Sequence, residues 1–247
     1  MDEKYFTSRR SRRNFTDEHI SDEMLAGIVR DALRAPTCGN MQLYSIIVSR
    51  KGEQRQELEK RHFCQPAATG ADVILTVCAD FYRFSRWCKV SGADPGYDNF
   101  LSLTSAMTDA IIIAQQIVTI AEMRGLGSCY LGTVTYNAPE ISRLLHLPEL
   151  TMPVACIALG YPADEGEPSE RLDVDAVLYS ERYPDFTDED IREMYRPKDE
   201  YPANAKFVAE NDKESLAQVF TDIRYPRSLN EEVSAALLPF LKKQRFL

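Results

Sequence analysis

Residues 21–35 repeat apolar positions at helical spacing. Leu25, Ile28, Val29, Ala32 and Leu33 fall at i, i+3, i+4, i+7 and i+8 and make one stripe. Ser21 is placed to cap this helix, Asp22 and Glu23 suit the positive end of its dipole, and Pro36 stops it. A short first helix is expected around residues 2–8. Two β-branched runs, 44–49 and 72–79, read as strands, the second apolar enough to be buried on both faces. The polar stretch 52–62 between them reads as a helix. Residues 80–98 show no clear period and are expected to be irregular. Residues 99–124 are apolar almost all round, the mark of a helix buried in a core or an interface, with Gly125 as its stop. A third strand is expected at 128–134, and a fourth at 152–159. Between them Asn137, Pro139 and Glu140 give a capping-box-like helix start. Beyond Tyr183 prolines and charges dominate, with helical patterns near 213–223 and 230–244. The interleaving predicts the α+β class: a mixed sheet sandwiched by helices, with one long buried central helix. Residues 1–183 are expected to form one domain. Residues 184–247 are expected to be a C-terminal helical extension that wraps a partner or covers a site.

Composition narrows the function classes. A formal net charge of −9 over 247 residues argues against nucleic acid and against an anionic membrane surface. The first residues have no apolar core of a leader peptide behind them. The longest apolar run, 110–118, is broken by Gln115 and Gln116 and is too short to span a bilayer. Six cysteines are scattered without a C-x-x-C pair, which fits a reducing cytoplasm. Three histidines without Cys/His spacing give no case for a metal site.

Against this acidic background, Arg9, Arg10, Arg12 and Arg13 flank Ser11. A basic run of this kind is compatible with a localisation signal, a solvated surface, a phosphodiester patch or a small bound phosphate. Arginine suits phosphate through its bidentate fork, and Ser11 adds a hydroxyl. The stretch 35–42 (APTCGNMQ) reads as a helix stop and loop, but Asn40 and Gln42 bring amides that both donate and accept, as a uracil-like ring edge requires. The stretch 125–133 (GLGSCYLGT) reads as a helix-to-strand turn. Its alternative role is close approach of a ligand to the backbone N–H groups of residues 130–132. It is not a dinucleotide fingerprint, which needs strand, glycines and then helix.

Taken together, SRRSRRNF with the helix after it, APTCGNMQ, GLGSCYLG and the run PVACIALGYPAD followed by ERL resemble the FMN-dependent nitroreductase family. CADF at 78–81 and the tail LLPFLKK resemble its NADPH-linked nitroreductase and flavin reductase group. The resemblance implies a homodimer with FMN at the subunit interface, bound by residues 1–183. It implies that Arg9, Arg10, Ser11 and Arg13 hold the flavin phosphate and ribityl chain, with Arg12 on a variable position. It implies that Thr37, Asn40 and Gln42 are lent by the second subunit, and that Gln65 contacts the ring. Tyr130, Leu131 and Gly132 match the backbone segment beside the flavin, and Arg171 the last phosphate ligand. Ser169 stands where many relatives carry Lys. The nearest basic candidates for the 2′-phosphate of NADPH are Lys206 and Arg224. The implied activity is NAD(P)H-dependent reduction, NADPH favoured, of small planar acceptors such as nitroaromatics, quinones or free flavin by ping-pong hydride transfer, with no catalytic side chain required. A non-catalytic flavin carrier, dehalogenation and flavin cleavage are the alternatives on the same scaffold.

Overall fold

The computed structural model describes residues 4–247. The chain divides into two compact units, one comprising the residues up to Glu167 together with Ala236–Leu247, the other Pro168–Ala235.

In chain order the first unit contains α1 (Lys4–Ser8), α2 (Asp22–Ala32), β1 (Tyr44–Arg50), α3 (Glu53–Arg61), α4 (Pro66–Gly70), β2 (Val73–Asp80) and α5 (Tyr82–Val90). These are followed by α6 (Phe100–Met123), β3 (Gly127–Tyr130), α7 (Ala138–Leu144) and β4 (Thr151–Gly160). The strands form one sheet in the order β1-β2-β4-β3. The α+β class stands, but every pairing among the described residues is antiparallel, so the sheet is not mixed within these four strands. The two inner strands, β2 and β4, are buried along their whole length, which is why they read as continuous apolar runs. α6 lies across them and α2 packs on α6. Asn99 caps α6 by accepting from the Ser102 amide at 3.0 Å, and Gly125 follows its end at φ 84°, the left-handed region that favours glycine. By length and composition α6 as a whole is apolar enough to cross a membrane, with mean hydropathy 1.4 over its best window. Its burial of Ala106, Ala110, Ile113, Ala114, Ile117 and Val118 in the core accounts for that composition.

Several expectations are corrected here. Residues 82–90 are helical rather than irregular. Phe81, Phe84, Ser85 and Cys88 do follow helical spacing, but Arg83, Arg86 and Lys89 interrupt the apolar signal. Phe81 stacks on Tyr97 at 4.7 Å, and Phe84 meets both rings edge-on. β3 ends at Tyr130, and residues 132–134 form a 3₁₀ turn instead of continuing the strand. Asn137 precedes α7 without capping it, because its side-chain amide donates to the Arg61 carbonyl at 2.7 Å.

The second unit contains α8 (Asp188–Asp199), α9 (Pro202–Glu210), α10 (Leu216–Gln218), a π-helical turn (Val219–Arg224) and the start of α11 (Arg227–Lys243), whose later residues belong to the first unit. α8 and α9 fall in the charged stretch where no apolar period announces them. α8 starts from a capping box between Thr187 and Asp190, a local signal that needs no buried stripe.

The N-terminal segment docks along the end of the sheet. The Arg12 amide donates to the Ser128 carbonyl at 2.9 Å, Thr16 to Tyr161 at 2.9 Å, and Ala163 to Asn14 at 3.0 Å. Phe15 pairs with Pro162 and lies over Gly160, where an added Cβ would come within 2.7 Å of its ring. Gly160→Ala is therefore expected to unseat Phe15 and to destabilise the chain by about 1–3 kcal/mol, the range for overpacking a fitted contact. A denaturant midpoint equal to wild type would show that this contact is dispensable.

Candidate functional site

The basic segment is pinned by a carboxylate at the far end of α6. Glu122 accepts from Tyr5 Oη at 2.6 Å, from Ser128 Oγ at 2.5 Å and from Arg9 Nη2 at 3.4 Å. Burial and this carboxylate push the Tyr5 hydroxyl up to about 12. The four guanidiniums then separate by role. Arg12 donates to the Asp164 carbonyl at 2.8 Å, and its stem fills the space beside Gly127. It is a packing residue. Arg10 reaches the carbonyls of Ser8 at 3.2 Å and Gly166 at 3.3 Å. Arg9 keeps a buried Nε with no partner among the described residues, and Arg13 lies exposed, its charge opposing the rise of the Cys129 thiol. Arg9, Arg10 and Arg12 line a cavity of about 200 Å³ with Tyr5 and Ser8.

β3 carries the next candidates to the same corner. Burial raises both the Cys129 thiol and the Tyr130 hydroxyl, the latter to about 12, while Arg9 opposes the shift at each. The Leu131 amide is engaged in the sheet, donating to the Cys156 carbonyl at 2.8 Å, so it is not free for a ligand. Gly132 is open, with nothing within 4 Å of the place a Cβ would take. Gln65, at the start of α4, donates to Thr133 Oγ1 at 3.3 Å and so joins this group. His62 Nδ1 meets the same oxygen at 2.7 Å.

Thr37, Asn40 and Gln42 lie elsewhere, on the loop before β1. Gly39, Asn40 and Gln42 all adopt left-handed backbone, at φ 54°, 56° and 49°. Such a run is unfavourable for residues with a Cβ and persists only where neighbours hold it. Asp109, fully buried in α6, accepts from the Cys38 amide at 2.8 Å and the Leu43 amide at 3.1 Å. Arg83 of α5 donates to the carbonyls of Gln42 at 2.6 Å and Tyr44 at 3.0 Å. Gln42 also donates to Asn40 Oδ1 at 2.6 Å. Thr37 Oγ1 is buried without a partner among the described residues. Asn40, Gln42, Arg83, Phe84 and Trp87 border a cavity of about 560 Å³.

These are two groups, not one. Register places Tyr44 level with Ala79 and Met152 at one end of the sheet, and Gly127 level with Gly160 at the other. β1 and β3 are also opposite edges. Asp109 and Glu122 lie 13 residues apart on α6, which separates the two corners by roughly 20 Å at 1.5 Å per residue. Arg171 belongs to the second unit and donates to the carbonyls of Ser169 at 3.2 Å and Glu170 at 2.7 Å. The neighbouring Glu170 carboxyl is held down to about 2, chiefly by hydrogen bonds from Lys198 and Asn204. Lys206 pairs with Glu210 and Arg224 stacks on Phe207 at 4.3 Å. Sequence reasoning missed Asp109, Glu122, Arg83, His62 and Thr133. The available signal for the first two was their charge, since they are the only charged residues in the 24 of α6.

A sequence model described as the Nitroreductase family matches residues 6–91 and 102–161. The chain is 28% identical over 236 residues to an FMN reductase [NAD(P)H] of Bacillus subtilis (strain 168), covering 90% of this chain and 92% of that protein. It is 30% identical over 174 residues to an oxygen-insensitive NADPH nitroreductase of Salmonella typhimurium (strain LT2), covering 70% and 71%. A crystal structure of a Bacteroides fragilis NCTC 9343 protein superposes with TM-score 0.96 at 42% identity over 99% of both chains.

His62 gives this region a pH signature. Burial, reinforced by the Arg55 guanidinium, lowers its imidazole from 6.5 to about 4. The unfolded chain therefore binds the proton first, so stability falls as pH drops from 6.5 toward 4 and levels off below. By linkage the loss amounts to about 3 kcal/mol. Urea midpoints between pH 7 and 4 are expected to fall less steeply in His62→Phe than in wild type. Parallel slopes would rule out His62 as the source.

Proposed function

We propose that this chain, which belongs to the nitroreductase family, is an FMN-dependent oxidoreductase. It takes hydride from NAD(P)H, NADPH favoured, and reduces a nitroaromatic, a quinone or free flavin. The observation that carries the reading is the meeting of the Arg9–Arg13 segment, Gln65 and the 128–133 segment at one corner of the sheet, from three separated stretches of chain.

The donor set fits FMN. Arg9, with its buried unpartnered Nε, and the exposed Arg13 offer charge-assisted hydrogen bonds to a phosphate, with Arg10 and Ser11 beside them. Arg171 is proposed as a further phosphate ligand. Gln65 supplies an amide for the ring, and Gly132 lets a flat ligand approach the backbone closely. Thr37, Asn40 and Gln42 supply a hydroxyl and two more amides. Bound FMN supplies the hydride chemistry, taking up and giving out two electrons in alternate half-reactions. The protein's own tasks are to orient that group, to place positive charge where negative charge builds up on reduction, and to leave one face open to planar substrates. Lysine and arginine near the second substrate are not needed as acid or base in this scheme.

A homodimer is proposed, and the separation of the corners supports it. Residues roughly 20 Å apart on one chain cannot close on one ring, whereas the loop of a second copy can complete the β3 corner. The exposed stripe of α6 supports this reading: Leu101, Thr104, Thr108, Ile111 and Gln115 carry no charge. Residues 184–247 are proposed to wrap the partner or cover its site, in keeping with the exposed Ile191 and Tyr195 of α8. A cytoplasmic location is proposed on the six free thiols.

The purified protein is expected to be yellow and to bleach under anaerobic NADPH. A colourless preparation that does not take up added FMN would overturn the reading. Arg13→Ala is expected to weaken FMN by about 1.5–3 kcal/mol, the range for a lost hydrogen bond to a charged group. Arg12→Ala should weaken it far less by the same titration. Co-expression of an Arg13→Ala chain with a Gln42→Ala chain tests the shared site. The mixed dimer carries both lesions in one site and none in the other, so it should regain NADPH oxidation that neither variant shows alone. No regain would mean that each chain builds its site from its own residues.

A further inference from the structure

Behind the β3 corner stands a chain of three polar side chains that the packing of the fold does not require. Gln65 Nε2 lies 3.3 Å from Thr133 Oγ1, and His62 Nδ1 lies 2.7 Å from the same oxygen. His62 is fully buried, and its Nε2 has no partner among the described residues. The Arg61 carbonyl next to it is fixed by Asn137 at 2.7 Å, and α3 is held from within by Arg55, which donates to the Ala68 carbonyl at 2.5 Å and the Ala71 carbonyl at 3.1 Å. The backbone that carries the imidazole is thus fixed, and the ring itself is held through Nδ1.

A hydroxyl has one proton and two lone pairs. The imidazole is neutral, because burial and the Arg55 charge both oppose its protonation. If Nδ1 carries the proton and donates to Thr133, the hydroxyl turns its own proton to the Gln65 carboxamide, which must then present oxygen. If Nδ1 accepts, Thr133 donates to His62 and its lone pair receives the Gln65 N–H, the arrangement with Gln65 Nε2 at 3.3 Å. Either way the imidazole tautomer and the direction of the amide are one choice. In the second arrangement the Gln65 amide presents nitrogen to Thr133. Its carbonyl oxygen and second N–H are then left free as a donor and acceptor pair. A ring edge of alternating carbonyl and N–H groups needs such a pair, in a defined order.

We propose that His62 and Thr133 are positioning residues that set the direction of the Gln65 carboxamide for the flavin ring. This rests on the FMN reading above and adds to it the residues that choose which end of the amide meets the cofactor. Neither side chain touches the reacting atoms. Their effect is on how tightly and in which electronic environment the ring is held, and it passes through Gln65 alone.

A double-mutant cycle on FMN affinity, read by quenching of flavin fluorescence, tests it. Gln65→Leu is expected to weaken FMN about tenfold and Thr133→Val severalfold, as for lost neutral hydrogen bonds. In the Thr133→Val background, Gln65→Leu should then cost less than about twofold, since a misdirected amide has little left to lose. Thr133→Ser keeps the hydroxyl and should restore both wild-type affinity and the full Gln65→Leu effect. His62→Leu, which removes the acceptor, should behave like Thr133→Val and shift the visible absorption of bound flavin in the same direction. Losses that multiply, or a Thr133→Ser chain as weak as Thr133→Val, would overturn the proposal while leaving FMN binding intact. A wild-type chain that does not quench FMN would overturn the flavin reading and this inference with it.

Discussion

Two carboxylates on one apolar helix organise the whole molecule. Asp109 and Glu122 are the only charges in α6, and each reaches out of the helix to gather a different piece of chain. Asp109 takes two backbone amides of the loop before β1, and Glu122 takes Tyr5, Arg9 and Ser128. A charge in such a place is unfavourable unless several donors meet it, and here they do. The helix is in turn fixed by the inner strands β2 and β4. It acts as a strut of set length between the two corners, so their spacing is a property of the core and not of the surface loops.

This arrangement explains why the fold was more legible in the sequence than the site's support. Long apolar runs betray β2, β4 and α6 because burial on all sides leaves no polar face. α5 escaped because its cations lie around the positions that it buries, Ser85 and Cys88. α8 escaped because it is stabilised by a capping box and ion pairs, and α9 because it starts from Pro202 and carries one ion pair, none of which has a period. Among site residues, Arg9, Arg13, Asn40 and Gln42 stood out through their type and their neighbours in the chain, whereas Gln65 was pointed to only by the family resemblance. Arg83, His62 and Thr133 act through carbonyls and hydroxyls brought together by tertiary folding, and no local spacing announces such partners. The register of the arginine run was informative. Arg12, on the variable position, is the one whose side chain fills space beside Gly127.

The two corners are built on opposite principles. At the β3 corner, charge is held in reserve: cations are anchored by one carboxylate and by carbonyl oxygens, leaving N–H groups free. At the loop before β1, backbone shape is held instead, with left-handed residues kept in place by Asp109 from below and Arg83 from the side. The first corner responds to ionic strength through the exposed Arg13. The second depends on the core beneath it, and conditions that loosen α6 reach it first.

The docking of residues 12–16 against 161–164 also sets an order of events in the cell. A chain leaves the ribosome N-terminus first, so the arginine cluster emerges before residues 161–164 and has nothing to lie on. About 150 residues must follow before its partners at the end of β4 exist, an interval of about 8–30 s at ordinary rates of synthesis. Throughout that interval four cations flank a serine on an otherwise acidic nascent chain. The arginine cluster is made long before the strand end that gives it structure.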